Sequence, residues 1–108
     1  MNESERRAAR WYRLRGWRVL GANVWAAGNE VDLIVRRGRA LRFVEVKEKR
    51  GAGYGDPVEA VTGEKRRRIR RAAESWLAAH PELDRLQVGF DVVAVREGRL
   101  ERLGDAFE

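Results

Sequence analysis

The chain has 108 residues, 44% hydrophobic and 37% charged, with a formal charge of +6 and a sequence pI of about 10.7. That length supports one core rather than two, and the charge favours a polyanionic partner, since each neutralised phosphate releases counterions. With no cysteine and only His80 as histidine, disulfides, thiolate zinc sites and a Ser-His-Asp arrangement are excluded or disfavoured, so any metal must be held by oxygen.

A helix is expected from about Glu3 to Arg15, with Ala8, Ala9, Trp11, Tyr12 and Leu14 among charged positions and Gly16 ending it. Trp17 to Trp25 reads as a strand anchored by Val19, Leu20, Val24 and Trp25, followed by a turn over Ala26 to Asn29. Glu30 to Val35 is a second strand, Arg37-Gly38-Arg39 a hairpin turn, and Ala40 to Glu48 a third strand. Lys49 to Pro57, rich in glycine, is expected to be a surface loop. A second helix should run from an N-cap at Thr62 to His80, where Pro81 stops it, with Ile69, Ala72, Ala73, Trp76 and Leu77 at helical spacing. Phe90 to Val95 and a short strand through Leu103 complete an α-β-β-β-α-β order with a terminal hairpin. Three meandering strands and a helical crossover give an α/β fold with a mixed sheet. The four tryptophans are expected in the core. No apolar run is long enough to cross a membrane and no signal-peptide pattern is present, so a soluble cytoplasmic protein with one domain over residues 1–108 is expected.

Side chains alternate along a strand, so Glu30 and Asp32 share one face of their run, as do Glu45 and Lys47 of theirs. Three carboxylates and an ammonium on one patch of sheet suit a hard cation with a charge-stabilising lysine beside it. Bound Mg²⁺ or Mn²⁺ would neutralise charge on a phosphate and lower the pKa of an attacking water. The competing reading is that these acids face solvent and pair with nearby arginines. Glu5 lies on the inward side of the first helix, where a carboxylate is either paired, a ligand, or a favourable charge at a helix start. Lys65 leads the apolar stripe of the second helix, from which it reaches a phosphate or snorkels to solvent. Arg66, Arg67, Arg68, Arg70 and Arg71 form the densest basic run, suited to sugar-phosphate backbone or to a solvated face. Lys49, Arg50 and Tyr54 could add contacts from the glycine loop, Tyr54 by stacking on an unpaired base.

Taken together these residues resemble the YraN-like family of uncharacterised proteins (UPF0102), itself similar to archaeal Holliday junction resolvases and the PD-(D/E)XK nucleases. The resemblance runs nearly end to end. Its motifs are Glu5 with Ala8-Ala9, Arg15-Gly16-Trp17, Glu30-Val-Asp32-Leu-Ile, Phe43-Val-Glu45-Val-Lys47, Tyr54-Gly-Asp-Pro-Val-Glu-Ala-Val61 with Lys65, Phe90-Asp-Val-Val-Ala-Val95 and Asp105-Ala-Phe107. The chain departs from the pattern at Asn29, usually glycine, and at Lys49, commonly arginine. The resemblance implies a restriction-endonuclease-like αβββαβ core. It implies Asp32, Glu45 and the Val46 carbonyl as metal ligands, Lys47 as catalytic lysine and Glu5 as an accessory acid. The implied activity is metal-dependent endonucleolytic hydrolysis of DNA, including branched or distorted DNA in repair or recombination. A junction-cutting role would require a symmetric homodimer. The alternative is a nuclease scaffold that binds nucleic acid or assembles partners without turnover.

Overall fold

The computed structural model describes residues 1–49 and 62–107. Arg50, Tyr54 and most of the expected glycine loop lie outside the described residues. Helix α1 (Glu3–Leu14) starts at Asn2, whose side chain accepts from the Glu5 amide while Glu5 returns a carboxylate oxygen to the Asn2 amide. This reciprocal cap satisfies donors that a helix start otherwise leaves open. As the spacing predicted, α1 buries Ala8, Ala9 and Tyr12.

Strands β1 (Arg18–Ala26), β2 (Asn29–Arg37) and β3 (Ala40–Lys49) form an antiparallel meander. Helix α2 (Gly63–Ala78), capped by Thr62, and a short 3₁₀ turn (Pro81–Leu83) lead to β4 (Gln87–Arg96) and then β5 (Arg99–Phe107). The five strands lie in the order β1-β2-β3-β4-β5, with β4 parallel to β3 and antiparallel to β5. A parallel neighbour demands a crossover, and α2 lies within it. The expected α/β fold with a mixed sheet is therefore the observed one.

Several boundaries differ from expectation. β4 starts at Gln87 rather than Phe90, because its parallel ladder follows β3 from Ala40↔Gln87 to Lys49↔Arg96. β5 continues past Leu103 to Phe107, which pairs with Phe90. Lys49, expected in a loop, is the last residue of β3.

Alternation sorts the core into two layers. Ile34, Leu41, Phe43, Phe90 and Val92 pack with Ile69, Ala72 and Ala73 of α2, while Leu33, Val35, Val44, Val93 and Val95 pack with α1 and Trp17. The tryptophans are not all core. Trp17 is buried, Trp11 and Trp76 are half-buried, and Trp25 is 69% exposed. Trp25 sits near the end of the edge strand β1, opposite Glu30.

One polar group interrupts the apolar run of β4. Asp91 is fully buried, and its carboxylate accepts from the Tyr12 hydroxyl at 2.6 Å and from Arg102 Nε at 2.9 Å, with Arg42 Nε at 3.8 Å. Burial, reinforced by the Asp91 charge, pushes the Tyr12 phenol far above its ordinary pKa, so it stays a donor. The network ties α1 to β3, β4 and β5. Removing the carboxylate strands a buried hydroxyl and two guanidinium groups, so Asp91→Ala is expected to cost about 3 kcal/mol and Tyr12→Phe about 1 kcal/mol in urea unfolding. A loss below about 1 kcal/mol for Asp91→Ala contradicts this assignment.

Candidate active site

The ladder between β2 and β3 runs from Arg37↔Ala40 to Leu33↔Val44. Beyond that pair the strands part, although β1 follows β2 as far as Asn29 and β4 follows β3 to Lys49. Asp32 sits at the first step of the opening. Its Oδ2 accepts the Val46 amide at 2.8 Å, supplying the acceptor that a neighbouring backbone would otherwise provide. Val31 packs with the α2 layer, out of step with Leu33 and Val35, so β2 changes its alternation at the same place.

Groups from both helices reach this opening. Carboxylate oxygens of Glu5, Glu30 and Asp32 all lie within 4.8 Å of one another. Asn23 holds two of them: its Nδ2 donates to Glu5 Oε2 and to Glu30 Oε1, each at 2.8 Å. Asn23 adopts a left-handed φ of 50°, which asparagine tolerates better than most residues, between the Ala22↔Leu33 and Val24↔Val31 pairs. Glu5 thus divides its oxygens between the cap of α1 and the acidic cluster.

On the α2 side, Glu45 is buried and in step with Leu41 and Phe43. Its Oε1 receives Lys65 Nζ at 2.7 Å and Lys47 Nζ at 3.3 Å. The Thr62 cap accepts from the Lys65 amide and so fixes where that lysine leaves the helix. Two ammonium groups compete for one carboxylate. Burial, followed by the contact with Lys65, lowers the Lys47 pKa below its ordinary value. Burial also works against the Lys65 ammonium, but the Glu45 carboxylate outweighs it and holds that pKa above normal. Asn29, Glu30, Glu45, Lys65, Arg68 and Ile69 line a cleft of about 240 Å³ beside these groups.

The structure thus brings together Glu5, Glu30, Asp32, Glu45, Lys47 and Lys65. Glu45, expected as a metal ligand with Asp32, is outside the trio of close acids and is held by the lysines. Val46 presents its N–H to Asp32. Of the α2 arginines, Arg68 lines the cleft and pairs with Glu64. Arg67 and Arg71 are exposed, and Arg66 and Arg70 are half-buried. Asn23 was missed by sequence reasoning, since a lone asparagine inside a strand carries no motif.

An all-oxygen acidic set suits a hard divalent ion. The charge distribution fits the same ion. Burial, the Glu45 charge, and the further charges of Glu5 and Glu30 push the Asp32 carboxyl up to about 7, against the opposing bond from Val46. The cluster therefore resists full ionisation until a cation neutralises it.

Residues 4–95 match the model of the uncharacterised protein family UPF0102. The chain belongs to UPF0102. A UPF0102 protein of Syntrophotalea carbinolica is 44% identical over 105 residues, covering 94% of this chain and 85% of that relative. The UPF0102 protein YraN of Escherichia coli K12 and its counterpart in Shigella sonnei are each 41% identical over 104 residues, covering 95% of this chain and 79% of theirs. UPF0102 membership thus covers α1, the β2–β3 opening and α2.

An acid whose folded pKa exceeds its unfolded value binds more protons when folded, so stability falls as pH rises from about 4 towards 7 and the cost persists above that. In EDTA, Asp32→Asn is expected to raise the urea midpoint at about pH 8 and to converge with wild type near pH 4. Mn²⁺ should raise the wild-type midpoint and leave the Asn variant unchanged. A variant equally displaced from wild type at both pH values contradicts the shift.

Proposed function

We propose that this protein is a divalent-metal-dependent endonuclease acting on DNA. The supporting observation is the meeting, at the opening between β2 and β3, of three close carboxylates with a lysine pair organised on Glu45. Glu5, Glu30 and Asp32 would hold Mg²⁺ or Mn²⁺, with Glu45 close enough to act on Asp32 through its charge. The ion would supply Lewis-acid neutralisation of a phosphate and a more acidic attacking water. The protein's own groups account for the rest. Lys65 and Arg68 place positive charge along the cleft, where a scissile phosphate would be oriented. Lys47 stabilises charge developing on the phosphate or positions the water. Glu45 sets the separation of the two ammonium groups. Asn23 keeps Glu5 and Glu30 aligned by donating to both.

The resemblance to PD-(D/E)XK nucleases, carried by Glu30-Val-Asp32 and Glu45-Val-Lys47, supports the same chemistry. An acid cluster next to lysines gains nothing for simple phosphate binding, because the acids repel the ligand. Hydrolysis gives each sign of charge a task.

Incubation with Mn²⁺ and single-stranded, duplex or four-way-junction DNA is expected to yield cleavage of at least one substrate. Asp32→Ala and Lys47→Ala should each lower kcat by about 100-fold or more, as loss of a transition-state contact does. Cleavage that persists in both variants, or no cleavage of any substrate by the wild type, contradicts the proposal.

A further inference from the structure

The side of α1 that faces away from the acidic cluster borders a cleft of about 500 Å³, with Arg6, Arg7, Arg10 and Arg15 along it and Gly98 and Leu100 opposite. Among the described residues Glu3 is the one acid lining it. Glu3 answers Arg6 at 3.4 Å and Arg7 at 3.6 Å, whereas Arg10 stands exposed. Arg15 lies 4.0 Å above the Trp11 ring centroid, a contact that fixes the guanidinium without neutralising it.

The positive surface continues around the end of the sheet. The Arg15 carbonyl accepts from Arg37 at 3.2 Å, and Arg37 borders a second cleft of about 370 Å³. Gly16, Arg18, Arg36 and Gly38 complete its lining, with no acid among the described residues. Arg18 and Arg36 stand directly opposite each other on β1 and β2. Like charges at facing positions of an antiparallel pair destabilise the sheet, and an anion between them relieves that cost. The fold does not need this pairing, since neither arginine contributes to the buried core.

We infer that the two clefts form one track for the sugar-phosphate backbone of a nucleic acid, distinct from the arginines of α2. Extent decides the ligand class. α1 alone is about 18 Å long at 1.5 Å per residue, whereas duplex DNA carries a charge about every 1.7 Å of its axis. A small anion would occupy one corner of such a surface, and a polyphosphate backbone can follow its whole length. The contacts are to backbone, so binding is independent of sequence and strongly salt-dependent. The same helix offers Glu5 to the acidic cluster on its inner side, so nucleic acid in the track lies about one helix diameter from the acids, roughly 10 Å. Binding in the track does not require that the acids cut.

The test is fluorescence anisotropy with labelled duplex and single-stranded DNA in EDTA, over a salt series. Replacing Arg10, Arg18 and Arg36 together by alanine should lower the slope of log K against log salt by about 2 to 3 and weaken binding at least tenfold, while the triple lysine variant keeps the slope. The single changes Arg10→Ala and Arg36→Ala should each remove about 0.9 from the slope, so the outcome does not depend on the triple variant folding. Wild-type slopes in all alanine variants overturn the inference. So does unchanged DNA binding accompanied by lost binding to phosphatidylserine vesicles or to polyglutamate, which would assign the track to a lipid surface or an acidic peptide. A lowered slope in a protein that cleaves nothing with Mn²⁺ leaves the track standing and removes the nuclease proposal.

Discussion

The parting of β2 and β3 beyond the Leu33↔Val44 pair is the constraint on which the site depends. A continuous sheet would separate α1 from α2, and side chains from the two layers could not meet. Where the strands diverge, the sheet stops acting as a wall. Glu5 arrives from α1 and Lys65 from α2, and Asp32 closes the gap by accepting the Val46 amide. That single hydrogen bond stands in for the missing ladder and costs the protein a carboxylate oxygen that solvent would otherwise hydrate. The acidity of the site and the geometry of the fold therefore arise from the same residue.

Two carboxylates, Asp91 fully buried and Asp32 half-buried, illustrate different solutions to one electrostatic problem. Asp91 is enclosed by donors, with Tyr12, Arg42 and Arg102 around it, and so belongs to the scaffold. Asp32 lies among other acids, and burial with their charge raises its pKa against the opposing bond from the Val46 amide. Satisfied polar networks stabilise; a group left in electrostatic tension is the better candidate for chemistry. Glu45 lies between these extremes, compensated by two lysines that are themselves shifted in opposite directions.

Much of this was legible in the sequence. The period-2 pattern through Glu30, Asp32, Glu45 and Lys47 identified the strands, and the stripe from Ile69 to Leu77 identified α2; the change of alternation in β2 at Val31, which leaves Glu45 outside the acidic trio, was not legible. Strand pairing beyond the apolar core was not legible: the extra length of β4 and β5 follows from partners already in place, not from local propensity. Trp25 looked like a core anchor because aromatic residues favour strands, yet its edge position leaves it uncovered. The role of Asn23 depends on a left-handed backbone inside a strand and on acids from two other elements, and no spacing rule encodes that. The arginines of the α1 and β1–β2 clefts are scattered from Arg6 to Arg37, so only folding gathers them.

The central claim is that the acids at the β2–β3 opening hold one divalent ion, and crystals soaked in Mn²⁺ and measured for anomalous scattering test it most directly. The expected result is a single strong peak at about 2.1 Å from oxygens of Asp32 and at least one of Glu5 and Glu30, hard-ion ligand distances. No peak at that position, with the ion bound elsewhere or nowhere, contradicts the account.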